Sequence, residues 1–188
     1  MKKSSIILIA IIAVVAILCF SCVGKYNTMV SKEESVTKEL KNIDTYLQRR
    51  ADLIPNLVST VKGYASHEEK IISNITSART NLLNAKTTED KANANEELSN
   101  AIKALMVVVE NYPDLKANQN FINLQDELAG TENRIAVARK NYNDTVSDYN
   151  SYIKKFPTNI IAGMFKFESK DYFEASDNAK TVPEVNFD

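Results

Sequence analysis

Few side chains in this sequence have the types and spacing to do chemistry. Cys19-Phe20-Ser21-Cys22 puts a small residue directly before a cysteine, as in a degenerate lipobox, where Cys22 would be acylated after cleavage. The motif departs from the usual pattern, because Cys19 stands where Leu is expected and Phe20 is bulky. His67 is the sole histidine, and a metal site or an acid–base pair needs companions that the chain lacks. Its expected role is structural, at the start of a helix. Arg49 and Arg50 beside Asp52 suit a charged recognition site, and Asp52 with Glu132 are the carboxylates that an enzyme would have to use. No Ser, Cys or His nucleophile arrangement and no Gly-rich phosphate loop accompanies them. The expectation is therefore no catalytic residue, no metal site and no cofactor. Asn74-Ile75-Thr76 and Asn143-Asp144-Thr145 match the glycan acceptor pattern, but both fall inside expected helices and carry no function.

The elements that hold these residues start with a membrane segment. Lys2 to Ser5 precede fifteen uninterrupted apolar residues, Ile6 to Phe20, and charge returns only at Lys25. Ser4 to Val23 as helix would cover roughly 30 Å, one hydrocarbon thickness. A buried core helix competes poorly, since the run has no polar face. An uncleaved span, a signal peptide and a lipidated Cys22 remain open, and the latter two share the short apolar region. The span and the lipid both leave the product at a membrane. Lys2 and Lys3 favour a cytoplasmic N-terminus, whereas Lys25, Lys32, Lys38 and Lys41 pull the other way. The resemblance of the N-terminus to an export signal places the body outside the cytoplasm.

Over the whole chain, four Gly, four Pro, no Trp and many Ala, Asn, Lys and Glu suit long helices. From Asn118 to Lys154, one series (Phe121, Leu128, Ile135, Tyr142, Tyr149) and a second (Leu124, Thr131, Ala138, Thr145, Tyr152) each step by seven. Such a helix would be roughly 55 Å long and needs partners alongside. Three earlier segments supply them. The first carries Tyr26, Met29, Val36, Leu40, Ile43, Leu47 and Ile54, with a kink or break expected at Pro55. A second should begin at Ser66, which has capping-box spacing to Glu69, and bury Ile71, Ile75, Ala78 and Leu82. Thr87 and Asp90 form another capping box ahead of a third helix bearing Ala94, Leu98, Ala101, Leu105, Val108 and Tyr112. Pro157 closes the long helix. Phe165, Phe167, Tyr172, Phe173 and Phe187 then follow in a polar background, either packed back on the bundle or free for a partner or membrane surface. Lys plus Arg number 23 against 24 Asp plus Glu, so no concentrated basic surface is available for nucleic acid.

Gln48-Arg49-Arg50-Ala51-Asp52-Leu53-Ile54-Pro55-Asn56-Leu57-Val58, then Val61-Lys62-Gly63-Tyr64-Ala65 and His67-Glu68, resembles the signature of the LemA family of bacterial membrane proteins. Tyr112-Pro113, Asn120-Phe121, Thr131-Glu132-Asn133, Ala138-Arg139, Tyr142-Asn143 and Tyr172-Phe173-Glu174 continue it in the same order, over nearly everything from Tyr26 to Phe187. The resemblance implies one N-terminal membrane segment, an antiparallel helical bundle, and no established enzymatic activity or cofactor. The expected fold is all-α: three to four long helices, an N-terminal transmembrane or signal/lipoprotein segment, and a short irregular aromatic tail. The expected divisions are 1–24 (anchor), 25–156 (bundle) and 157–188 (short helix and tail). Gln125, Glu132 and Arg139 repeat by seven along one flank of the long helix, and pairing them with Arg49, Arg50 and Asp52 gives a polar seam. A buried Arg50 would be costly without a carboxylate. The expected function is binding or scaffolding at the bacterial cell envelope, through the membrane and an unknown protein partner. An accessory subunit of a membrane protease or envelope complex and a carboxylate enzyme are the alternatives.

Overall fold

The computed structural model describes residues 3–65 and 67–174, apart from the side chains of residues 3–6, 8, 10, 14 and 18. Its elements are α1 (Lys3–Lys62), α2 (Glu69–Asn84), α3 (Thr88–Val109), α4 (Pro113–Lys116), α5 (Gln119–Lys154) and α6 (Thr158–Phe165), with no strand among the described residues. They form two compact units, Met1–Glu39 with Asn143–Asp171 and Leu40–Tyr142 with Tyr172–Asp188. Helices α1 and α5 each contribute to both.

The second unit is an up-and-down four-helix bundle. Tyr64 meets Asn118 and Arg49 meets Glu127, so α5 runs antiparallel to α1. Asp44 meets Lys91 and Arg50 meets Asn95 and Ser99, so α3 runs parallel to α1. The short turn after Asn84 folds α2 and α3 into an antiparallel hairpin. The core joins Ile43, Leu47, Ile54, Leu57 and Val61 to Ile75, Leu82, Leu98, Leu105, Phe121, Leu128 and Ile135, all buried. Each such side chain contributes about 1.5–3 kcal/mol by leaving water. The first heptad series of α5 is buried throughout, whereas Leu124, Thr145 and Tyr152 of the second are half-buried.

Local signals set most boundaries. Thr87 Oγ1 accepts from the Asp90 N–H at 3.0 Å and Asp90 Oδ2 accepts from the Thr87 N–H at 3.2 Å, a complete capping box that starts α3. Asn118 Oδ1 accepts from the N–H groups of Asn120 and Phe121, fixing the start of α5. Pro113 sits in the first turn of α4, where its missing donor costs nothing.

Three expectations change. The helix begins at Glu69, with Glu68 at the N-cap and no side-chain cap, and Ser66 lies outside the described residues, as does Phe187. In α2 the buried stripe takes Ile72 in place of Ile71, because with Ile75, Ala78 and Leu82 it keeps the 3, 3, 4 spacing of one helix face. Most consequentially, α1 runs through Pro55 without a break. Proline at 55 removes the donor that would serve the Ala51 carbonyl. Arg79 of α2 supplies it instead, donating from Nε to Ala51 O at 2.8 Å, so that carbonyl is not left orphaned.

The first unit packs part of α1 beside the last part of α5, α6 and the segment that follows. Tyr149, Asn150, Val146, Met29 and Val36 are buried here. Lys166 ends α6 in the left-handed region at φ 59° and ψ 40°, turning the chain so that Phe167 N–H reaches Ala162 O at 3.0 Å.

Candidate functional site

Arg50 is the most unusual side chain of the four-helix unit. It lies on the inward face of α1, between Leu47 and Ile54, and is only 4% exposed. Nη1 donates to Asn95 Oδ1 at 2.5 Å and Nη2 to Ser99 Oγ at 3.0 Å, while Nη1 also lies 2.6 Å from Glu132 Oε2. Ser99 in turn donates to the Asn95 carbonyl at 2.9 Å. One guanidinium thereby ties α1, α3 and α5 together. Burial pulls the Arg50 pKa below the usual arginine range, and the Glu132 carboxylate offsets part of that pull. The group stays charged, since even a lowered guanidinium holds its proton. Its Nε makes no hydrogen bond, and the Glu132 contact lies off the hydrogen-bond axis. Such an arrangement fixes helix register, with the guanidinium and the Glu132 carboxylate held as an ion pair.

The other expected seam residues are dispersed. Arg49 reaches Glu127 at 2.8 Å and holds that carboxyl below the usual carboxylate range. Asp52 accepts from Gln48 along the same helix. Gln125 donates to the Met106 sulfur. Arg139 donates to the Glu174 carbonyl at 3.0 Å and lies over the Phe173 ring, 4.8 Å from its centre, with Phe173 edge-on to Tyr142. Of the six, only Arg50 and Glu132 touch. Asn95, Ser99 and Arg79 escaped the sequence reading. Asn95 left a trace, as a polar residue three positions before Leu98 on the inward face of α3; Arg79 left none.

Open clefts mark the described surface. One in the four-helix unit, about 410 Å³, is walled by Asn56, Ser59, Thr60, Asn120, Asn123, Leu124 and Glu127, where the carboxylate is already paired with Arg49. His67 is exposed, and among the described residues no group of three or more His, Cys, Asp or Glu converges to hold a metal.

In the first unit, polar contacts clasp irregular chain to helix. The Tyr149 hydroxyl donates to the Glu168 carbonyl at 3.0 Å, and Asn150 both donates to the Lys170 carbonyl and accepts from its N–H. Lys170 pairs with Glu33 at 2.6 Å, and Lys32 with Asp148. Burial, with the Glu33 and Glu168 carboxylates adding to it, pushes the Tyr149 pKa up to about 12. N-terminal to this clasp, α1 presents Ile7, Ile9, Ile11, Ile12, Val15 and Ile17 outward, each more than half exposed. Within Ile11–Lys62 the most apolar 18-residue stretch has a mean hydropathy of 1.7 and none of it is buried, so by length and composition α1 can cross a membrane. Cys19 and Cys22 are both free thiols on this exposed stretch.

Comparison with known proteins gives a consistent picture. The LemA family profile matches residues 39–187. Magnetosome protein MamQ 2 of Paramagnetospirillum magneticum is 28% identical over 210 aligned positions, covering 96% of this chain and 77% of that protein. Magnetosome protein MamQ of Magnetospirillum gryphiswaldense is 24% identical over 98% of this chain and 79% of its own length. Protein LemA of Metamycoplasma hominis is 27% identical over 88% and 76%.

Proposed function

The chain belongs to the LemA family, and from that premise we propose that it is a membrane-anchored helical bundle which acts by binding or scaffolding at the bacterial cell envelope, with no reaction of its own. The observation that carries this reading is α1: a single helix whose described apolar side chains near the N-terminus are exposed and whose later turns build the bundle core. Exposed Ile and Val at that density are unfavourable in water and favourable in lipid. Support for a non-catalytic body comes from Arg50, Glu127 and Glu132, whose charges are engaged by partners within the bundle. Arg50, Glu132, Arg49, Asp52, Gln125 and Arg139 serve this reading as structural groups, and the body lies outside the cytoplasm.

Membrane fractionation tests the anchor. The full chain should resist extraction at alkaline pH, and deletion of residues 1–24 should release it; a full chain that washes off overturns the anchor. Cross-linking in intact cells tests the scaffold, with a reproducible protein partner expected and none recovered counting against it. Intact mass separates the two modes of anchoring, since retained Met1 excludes acylation at Cys22.

A further inference from the structure

Helix α6 is amphipathic in a way that the interior of its own unit does not explain. Thr158, Ile161 and Ala162 are buried and satisfy the packing. Ile160 and Met164, four residues apart on the other face, are 55% and 73% exposed, and Phe156 just before the helix is 80% exposed. Phe165 is also more than half exposed, although one face of its ring meets Tyr26 at 4.9 Å between centres. Four large apolar side chains on one short stretch form a patch that water disfavours.

What covers it follows from its position within the same unit. Tyr26 lies two residues beyond Gly24, where the apolar run of α1 ends, an axial distance of about 3 Å at helical rise. Phe165 and Phe167 both pack on Tyr26, which places the C-terminal end of α6 within about one helical turn of that limit. Aromatic rings with one wet and one greasy side are the usual residents of that depth. Charge agrees: Lys154, Lys155 and Lys166 flank α6, all exposed, and Lys25 stands at the end of the run. Beyond α6 the chain turns at Lys166 and is drawn back along the helices by the Tyr149 and Asn150 clasp, so the apolar face belongs to α6 alone.

We propose that α6 is a second membrane contact, an interfacial helix that lays Phe156, Ile160, Met164 and Phe165 into the lipid boundary while Lys154, Lys155 and Lys166 meet anionic headgroups. It rests on the anchor reading above. Burying this face adds apolar area and charge attraction to a tether already present, and the tether keeps α6 at the lipid surface at high effective concentration.

The chain has no Trp, so a single introduced Trp reports its own site. The full chain is placed in vesicles of phosphatidylethanolamine and phosphatidylglycerol with brominated acyl chains, carrying in turn Met164→Trp, Val23→Trp at the end of the apolar run, or Val107→Trp on the exposed side of α3. Helical content by circular dichroism checks that each variant folds. Met164→Trp should emit to the blue and be quenched several-fold more than Val107→Trp, approaching Val23→Trp. Emission and quenching equal to Val107→Trp would overturn the proposal, and so would blue-shifted emission without quenching, which marks a protein or a second copy on this face. Loss of quenching at Val23→Trp would instead break the anchor reading and take this inference with it. Converting Lys154, Lys155 and Lys166 together to Glu should lower quenching at Met164→Trp and leave Val23→Trp unchanged; equal quenching would remove the headgroup contact.

Discussion

The two units hold their parts together by different means. In the four-helix unit a buried charge does it: Arg50 reaches Asn95, Ser99 and Glu132, and Arg79 mends the gap that Pro55 leaves at the Ala51 carbonyl. In the first unit neutral groups grip the irregular chain, Tyr149 and Asn150 holding the backbone of residues 168 and 170, beside the part-exposed ion pairs Lys32–Asp148 and Lys170–Glu33. A bundle surrounded by helices on all sides can bury a guanidinium because three neighbours supply acceptors. Where two helices meet irregular chain, unpaired peptide groups are the liability, and uncharged side chains satisfy them without the cost of stripping water from an ion.

Breaking the charged device should have the largest effect. Arg50→Ala strands the Glu132 carboxylate and the Asn95 amide, and should cost about 3–5 kcal/mol in denaturant unfolding of the detergent-solubilised chain. Glu132→Gln, which keeps the shape and removes the charge, should lower the melting temperature by several degrees, at about 2–4 °C for each kcal/mol lost. An unchanged melt for both would mean that apolar packing alone sets the register.

The proline repair predicts a coupling. Arg79→Ala should cost about 1–3 kcal/mol, because a buried carbonyl loses its donor. Pro55→Ala restores the helical N–H to that same carbonyl, so in its background the Arg79→Ala loss should shrink by at least half. Additive losses would show that Arg79 acts elsewhere.

The neutral device gives the smallest effect and a signature in pH. Tyr149→Phe removes one hydrogen bond and should cost about 0.5–1.5 kcal/mol. The folded state raises the tyrosine pKa to about 12, so it prefers the protonated phenol. The resulting stability is complete below the ordinary tyrosine value near 10 and is lost as pH climbs from there towards 12. Stability of the wild type should therefore fall across that window, and the Phe variant should fall less. Parallel curves would mean that Tyr149 does not titrate with unfolding.

Much of this was legible beforehand. The apolar run of Ile6 to Phe20, the buried heptad positions of α5, the Thr87–Asp90 cap and the turn at Pro113 each follow from residue type and local spacing, and each is where the pattern put it. Arg50 was readable as a costly inward charge, and Glu132 as a carboxylate within reach on a facing flank. Asn95 and Ser99 were not, because the partners of a buried ion are chosen by how three helices rotate against one another.

Sequence by itself determined that the chain would be helical, which faces would be greasy, and that one end suits lipid, since period and hydropathy are properties of neighbours along the chain. Only tertiary structure decided that α1 survives its proline and that Arg139 serves the tail at Phe173 and Glu174 rather than the polar seam. Those outcomes depend on donors and acceptors brought together from residues 28 and 35 positions apart, and one-dimensional spacing does not encode which of several reachable partners a long side chain will meet.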